Sequence, residues 1–188
     1  MINKCYFQSP IGVLILEADG EGICRLEICR DSIESESAKE SGRKAVSACI
    51  MGECAAVWKS EETETAKKAQ RSADMNPLLL QAGAELTEYF AGKRREFTVP
   101  VSMKGTDFQM QVWQKLREIP YGETYSYGQL AEAIGNPRAA RAVGMANNRN
   151  PFMILVPCHR VIGKDGRLVG FGGGLEAKKY LLELEHGI

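Results

Sequence analysis

The stretch "SYGQLAEAIGNPRAARAVGMANNRNP", residues 126–151, is the part of the chain whose reading decides the fold. Ser126 with Gln129 three residues later has the pattern of a capping box and predicts a helix start. Leu130 and Ile134 point inward on that helix, and Gly135 stops it. Asn136 and Pro137 open a second helix near Pro137. Two short helices across a tight glycine turn form a helix-turn-helix. Such pairs serve equally often as plain packing units. The second helix tips the balance. Arg138 and Arg141 are three apart and share a face of its first turns. Arginines there can reach phosphates or base edges. The alanines at 139, 140, 142 and 146 keep the helix slim, so it can approach another surface closely.

Upstream of this pair, "TDFQMQVWQKLREIPYG" predicts a helix capped by Thr106 and Gln109 and ended by Pro120 and Gly122. Phe108, Val112, Leu116 and Ile119 face one side of it. Before it, "KRREFTVPVSMKG" reads as a linker with a short extended piece and is the best domain boundary. "NPLLLQAGAELTEYFAG" predicts another helix, capped by Asn76 and stopped at Gly92, with Leu79, Ala82, Leu86, Tyr89 and Phe90 as its apolar stripe. The N-terminal segment, residues 3–30, reads as strands. "GVLILEA" and "GICRLEIC" are joined by the turn "DGEG", and Cys24, Leu26 and Ile28 share a face. Residues 31–74 are rich in Ser, Glu, Lys and Ala and read as a polar surface insertion, partly helical at best. A last helix is expected from about Leu175 to His186, after the glycine run "GFGGG".

The fold expected is therefore α/β plus α. Residues 1–100 form a small N-terminal α/β domain, and residues 101–188 form a helical domain. At 44% apolar residues the chain can bury a sizeable core. No apolar run of ~18 residues and no signal-peptide pattern is present, so an intracellular protein without a membrane span is expected. Its six cysteines then read as thiols. Net charge is zero, but Arg138, Arg141, Arg149, Arg160, Lys164 and Arg167 face only Asp165 between residues 137 and 167. Taken alone, that segment reads as a solvated basic face. No metal is expected, because Cys24/Cys29 and Cys49/Cys54 lack the two-residue gaps of a zinc knuckle.

In "ILVPCHRVIG", residues 154–163, Cys158 adjoins one of only two histidines. Three readings stand: a nucleophile and its base, metal ligands, or a chance pair in the core. Pro157 disfavours the helical conformation for Val156, so "MILV" is expected to stay extended up to it. A turn after Pro157 would bring His159 to the sulfur directly or through one water. A carboxylate on the last helix, Glu183 or Glu185, could orient the imidazole.

"GNPRAARAVG", "NPFMILV", "PCHRVIG", the glycine loop and "KKYLLELE", in that order, closely resemble the O6-alkylguanine-DNA alkyltransferases, the methylated-DNA–protein-cysteine methyltransferases. The match runs from about Asn76 to Glu185. "SPIGVLILEADGEG" is similar, more loosely, to the family's opening hairpin. The resemblance implies a ribonuclease H-like N-terminal sheet and a winged-helix-like C-terminal domain. It implies a DNA-repair protein that binds duplex DNA in the minor groove and flips out an O6-alkylguanine. The alkyl group, from that base and also from O4-methylthymine, would pass irreversibly to a cysteine, once per molecule and without a cofactor.

By the same resemblance Cys158 is the acceptor, His159 the base acting through a water, and Glu185 the carboxylate that orients it. Asn150 steadies the turn, and Tyr127 lies near the 3′ phosphate and the flipped base. Arg141 fills the gap in the stack, with Arg138, Ala139, Ala140 and Gly144 beside it on the DNA face. Val161, Met153, Phe171 and Gly172 line the substrate pocket. Two departures bear on substrate breadth. Phe171 stands where many relatives have tyrosine, and Gly172 where some have serine. A monomer is expected, cytoplasmic, at the nucleoid in a prokaryote or nuclear in a eukaryote. A lesion-binding module without chemistry would carry tryptophan in place of Cys158, and a cysteine hydrolase would regenerate its thiol.

Overall fold

A computed structural model describes residues 2–29, 57–58 and 76–186. Three N-terminal strands follow one another: β1 (Asn3–Ser9), β2 (Gly12–Ala18) and β3 (Ile23–Ile28). They pair antiparallel, from Asn3 opposite Ala18 to Ser9 opposite Gly12, and from Leu14 opposite Ile28 to Ala18 opposite Ile23. The short β4 (Val57–Trp58) joins the far side of β1 in parallel. Alternation along β1 and β2 sends Cys5, Phe7, Leu14 and Leu16 to one buried face. There helix α1 (Pro77–Phe90) lays Leu79, Ala82, Leu86 and Tyr89 against them. Asn76 caps α1 through the Leu78 amide, with Pro77 at its first position.

One face assignment fails in β3. Its register with β2 skips Cys24, so Ile23 rather than Cys24 lies opposite Ala18 and is buried, while Cys24 stays half-buried. An extra residue in one strand shifts every following side chain to the other face. The polar stretch 31–74, with Cys49 and Cys54, lies outside the described residues apart from β4.

The expected linker is pinned along its length. Buried Glu85 of α1 accepts hydrogen bonds from the Thr98 and Val99 amides and from the Thr98 hydroxyl. Ile23 then exchanges backbone bonds with Pro100 and Ser102 at 2.8 and 2.9 Å. Leu26 does the same with Pro151 and Met153 at 2.7 and 2.9 Å. The open edge of β3 is thus covered by segments from the second half of the chain, which removes an exposed pairing edge.

Gly22 stands at that seam. A Cβ there would lie 2.6 Å from the Pro100 carbonyl oxygen. Gly22→Ala should therefore destabilise the protein by about 1–3 kcal/mol, lowering the melting temperature by roughly 3–10 °C in a thermal melt.

The helical half contains α2 (Asp107–Leu116), α3 (Tyr127–Ala133), α4 (Ala140–Asn148) and α5 (Leu175–His186). Both expected capping boxes are present, Thr106 with Gln109 and Ser126 with Gln129. α2 stops at Leu116, before Pro120, because Arg117 to Ile119 turn in single bends. The helix-turn-helix is α3 and α4, with a 3-10 turn at Pro137–Ala139 leading into α4. Trp113 of α2 fixes α4 by donating its indole N–H to the Ala146 carbonyl at 2.9 Å. A two-residue parallel pairing, β5 (Tyr125–Ser126) with β6 (Val161–Ile162), ties the start of this unit to the residues after Cys158. No helix among the described residues is long and apolar enough to cross a membrane.

Candidate active site

Residues 152–156 do not form the extended run expected of "MILV". They turn: the Val156 amide donates to the Phe152 carbonyl and the Leu155 amide to the Met153 carbonyl, with Ile154 at φ 71°. A β-branched residue in the left-handed region is strained and persists only where its surroundings hold it. Asn150 supplies the hold. Its amide group donates to the Val156 carbonyl at 2.8 Å, and its side-chain oxygen accepts from the Phe152 amide at 3.0 Å. Two side-chain bonds across one turn outweigh the strand propensity of four apolar residues.

After Pro157, Cys158–Arg160 form a 3-10 turn. Neighbouring side chains diverge there, and each has its own surroundings. Cys158 is 4% exposed. Burial pushes its thiol up to about 11, against the Asn150 amide, the charge of Lys178 and the local backbone N–H groups, which favour the thiolate. Asn147, which the sequence reading missed, is buried and donates to the Cys158 carbonyl at 3.4 Å.

His159 is fully buried, with Nε2 2.8 Å from Glu185 Oε1. Burial lowers its pKa, Glu185 opposes that, and Arg160 and Lys178 reinforce it, so the imidazole is neutral at pH 7. Glu185 also accepts from Tyr89 at 2.7 Å, from Arg160 at 2.8 and 3.0 Å, and from the Gly122 amide at 3.3 Å. Burial alone would raise this carboxyl. The bonds from His159 and Arg160 overcome it and hold the carboxyl well below the usual carboxylate range. An ionised carboxylate only accepts, so the imidazole proton sits on Nε2. Nδ1 is left as a bare lone pair, buried and without a hydrogen-bond partner among the described residues. A neutral imidazole oriented in this way can take up a proton.

Arg160 is a correction to the expected basic face. It is 6% exposed, and its guanidinium donates to Glu185 and, at 2.6 Å, to the Ile119 carbonyl while lying 5.8 Å over the Tyr121 ring. A cavity of about 440 Å³ opens on its far side, lined by Arg95, Arg117, Tyr121, Leu155, Pro157 and Arg160. Neither Cys158, Tyr127 nor Phe171 lines it, so it is not the space around the thiol.

Val161, Met153 and Phe171 are buried, and Gly172 is exposed. Gly173 packs closely, so that a Cβ there would lie 2.7 Å from the Ile28 side chain and 2.9 Å from those of Met153 and Phe171, and these side chains would have to shift to admit it. Tyr127 lies half-buried against Gly144 and donates its hydroxyl to the Val169 carbonyl at 3.1 Å. Burial and then the charge of Cys158 raise its pKa. Arg138 and Arg141 are exposed and form no ion pair among the described residues. Ala139, Ala140 and Gly144 are half-buried along the same helix, and Met145 beside them is 59% exposed. A cationic, slim and unpaired helix face therefore flanks the buried cysteine turn.

A family model described as "6-O-methylguanine DNA methyltransferase, DNA binding domain" matches residues 107–187. A second, "6-O-methylguanine DNA methyltransferase, ribonuclease-like domain", matches residues 2–103. The chain is similar to a methylated-DNA–protein-cysteine methyltransferase of Mycobacterium leprae, at 57% identity over 98% of this chain and 93% of the relative. It is similar to one of Methanosarcina acetivorans at 42% identity over 95% of each. Among solved structures, a Mycobacterium tuberculosis OGT in complex with DNA matches with a TM-score of 0.72 and 38% identity, over 98% of this chain and 92% of that one.

Proposed function

The chain belongs to the 6-O-methylguanine DNA methyltransferase family and is a methylated-DNA–protein-cysteine methyltransferase of DNA repair, and from that premise we propose that Cys158 is its alkyl acceptor. His159 is the base and Glu185 holds it. The observation that carries this reading is the bare, buried Nδ1 of His159, whose other nitrogen is committed to an ionised Glu185.

A thiol pushed up to about 11 is ionised in only about one molecule in ten thousand at pH 7. The protein at rest is thus a poor nucleophile, and the proton has to leave as the alkyl carbon arrives. It passes to Nδ1 of His159, directly or through one water. The S–C bond forms as the C–O6 bond breaks, and the electron pair goes to the guanine. Tyr127 stabilises or protonates that leaving base. Nothing in the site reverses a thioether, so each molecule acts once. O4-methylthymine carries its methyl group on a comparable exocyclic oxygen and is a second substrate.

The partner is duplex DNA carrying O6-alkylguanine. Arg138, Arg141 and the small residues between them suit a minor-groove approach with little base reading. Flipping a base costs a few kcal/mol, and the long, flat Arg141 offsets part of that by filling the gap. Arg141→Ala should slow repair of a methylated duplex by about tenfold or more and leave reaction with a free alkylated base unchanged, measured as single-turnover rates on both.

The test of the whole reading is the mass of the intact protein after mixing with a duplex containing one O6-methylguanine. One added methyl group, mapped to Cys158, is expected. An unchanged mass with the DNA still methylated contradicts the proposal. Repeated turnover with a regenerated thiol would mark a hydrolase instead.

A further inference from the structure

Tyr89 of α1 carries a hydroxyl that the transfer steps above leave unused. The residue is fully buried, packed among the rings of Phe90, Phe97 and Tyr121. Its hydroxyl meets a residue 96 positions further along the chain, Glu185. It donates to Oε1 at 2.7 Å, the same oxygen that His159 Nε2 meets at 2.8 Å and Arg160 at 3.0 Å. Oε2 takes the other Arg160 bond and the Gly122 amide. A backbone carbonyl would satisfy a buried tyrosine hydroxyl equally well. Here the partner is the carboxylate oxygen that faces the base. Burial, and next the charge of Glu185, push this hydroxyl far above the usual tyrosine range, so it stays a donor at every working pH.

We propose that Tyr89 is a positioning residue for proton transfer: by sharing Glu185 Oε1 with His159 it limits the pull of the carboxylate on the imidazole, so that His159 takes up the thiol proton and gives it up again. The proposal rests on the transferase reading. As the S–C bond forms and the C–O6 bond breaks, Nδ1 takes the proton of Cys158. That proton ends on the guanine, which has received the electron pair. A base that held the proton too tightly would obstruct this second half. A donor on the carboxylate stabilises its charge and makes it a weaker acceptor for the Nε2 proton. Tyr89 is also the one group of the N-terminal half that bonds to the His159–Glu185 pair among the described residues.

The other titratable and charged groups that face the pair are Arg160 of the cysteine turn, Tyr121 of the loop after α2, Cys158, and Lys178 of α5, itself fully buried. Tyr121 gives its hydroxyl to the Leu184 carbonyl at 3.2 Å, not to the carboxylate. Tyr89→Phe removes one oxygen and leaves all of these in place, with His159, Arg160 and the Gly122 amide still on Glu185. Oε1 then draws harder on the Nε2 proton, and His159 becomes more basic. A tyrosine that only stabilised the fold would cost stability when lost and leave that basicity where it was.

The test follows the histidine Cε1–H signals by proton–carbon NMR against pH. The chain has two histidines, and His186→Gln identifies the second signal. In wild type the His159 midpoint should lie below the ordinary histidine value of about 6.5. A wild-type midpoint above it overturns the proposal, whether or not the variant folds. In Tyr89→Phe the midpoint should rise by about 0.5–1 pH unit. The acid limb of single-turnover methyl transfer from a duplex with one O6-methylguanine should rise with it. An equal or lower midpoint in the folded variant overturns the proposal. The titration needs no turnover, so the two readings fail separately. Wild type that takes up no methyl group overturns the transferase reading. An active variant with the wild-type midpoint removes the role of Tyr89 alone.

Discussion

Glu185→Gln should cost about 3–5 kcal/mol of stability, roughly 6–20 °C in melting temperature, and all but stop alkyl transfer. The size follows from how many groups depend on one carboxylate. Tyr89, His159, Arg160 and the Gly122 amide all donate to it, and three of these donors are buried side chains. A neutral amide leaves the Arg160 charge buried without a counter-charge. It also presents an N–H to some group that is itself a donor. Activity falls for a separate reason: with no carboxylate to accept from Nε2, nothing keeps the Nδ1 lone pair bare. The pH dependence checks the same network. The folded pKa values of Glu185 and His159 are both lowered, so their contributions are fully present above their unfolded values. Stability should begin to fall as the pH drops below about 6.5, where unfolded histidine takes up a proton. A further loss should follow through and below the usual carboxylate range. A melting temperature that stays flat from pH 7 to pH 4 would contradict this.

Cys158→Ala should gain no methyl group at any time or concentration, while wild type gains one. The substitution removes a single buried sulfur, and Asn147, Asn150 and Pro157 still shape the turn through backbone carbonyls. The variant should therefore fold, bind the methylated duplex and hold it unrepaired. Intact mass and a gel-shift assay on one sample separate the two effects. Methyl uptake by Cys158→Ala would move the acceptor to another residue.

Local chemistry made much of this legible from the sequence. The capping boxes at Thr106/Gln109 and Ser126/Gln129 and the Asn76–Pro77 start are decided within four residues, and all are present. The first helix of the helix-turn-helix follows from the second of these boxes. Glu185 was separated from Glu183 by resemblance alone, and in the structure Glu185 lies beside His159. What escaped depends on distant partners. Arg160 looked like surface charge because its partners are 25 and 41 residues away, and Tyr89 looked like ordinary core because its acceptor lies 96 residues on. Lys178 carries no local sign of burial at all. "MILV" has the composition of a strand, and only the side chain of Asn150 makes it a turn. Cys24 was assigned a face by strict alternation, which one skipped residue defeats.

The covered edge of β3 has a consequence for motion. Two backbone hydrogen bonds, from Leu26 to Pro151 and Met153, join the N-terminal sheet to the helical half, and two more, from Ile23 to Pro100 and Ser102, hold the segment that leads into it. A hinge there would have to break them together. The N-terminal sheet therefore holds the residues just before the cysteine turn directly, and a rotation of the helical half against it has to strip that edge of β3.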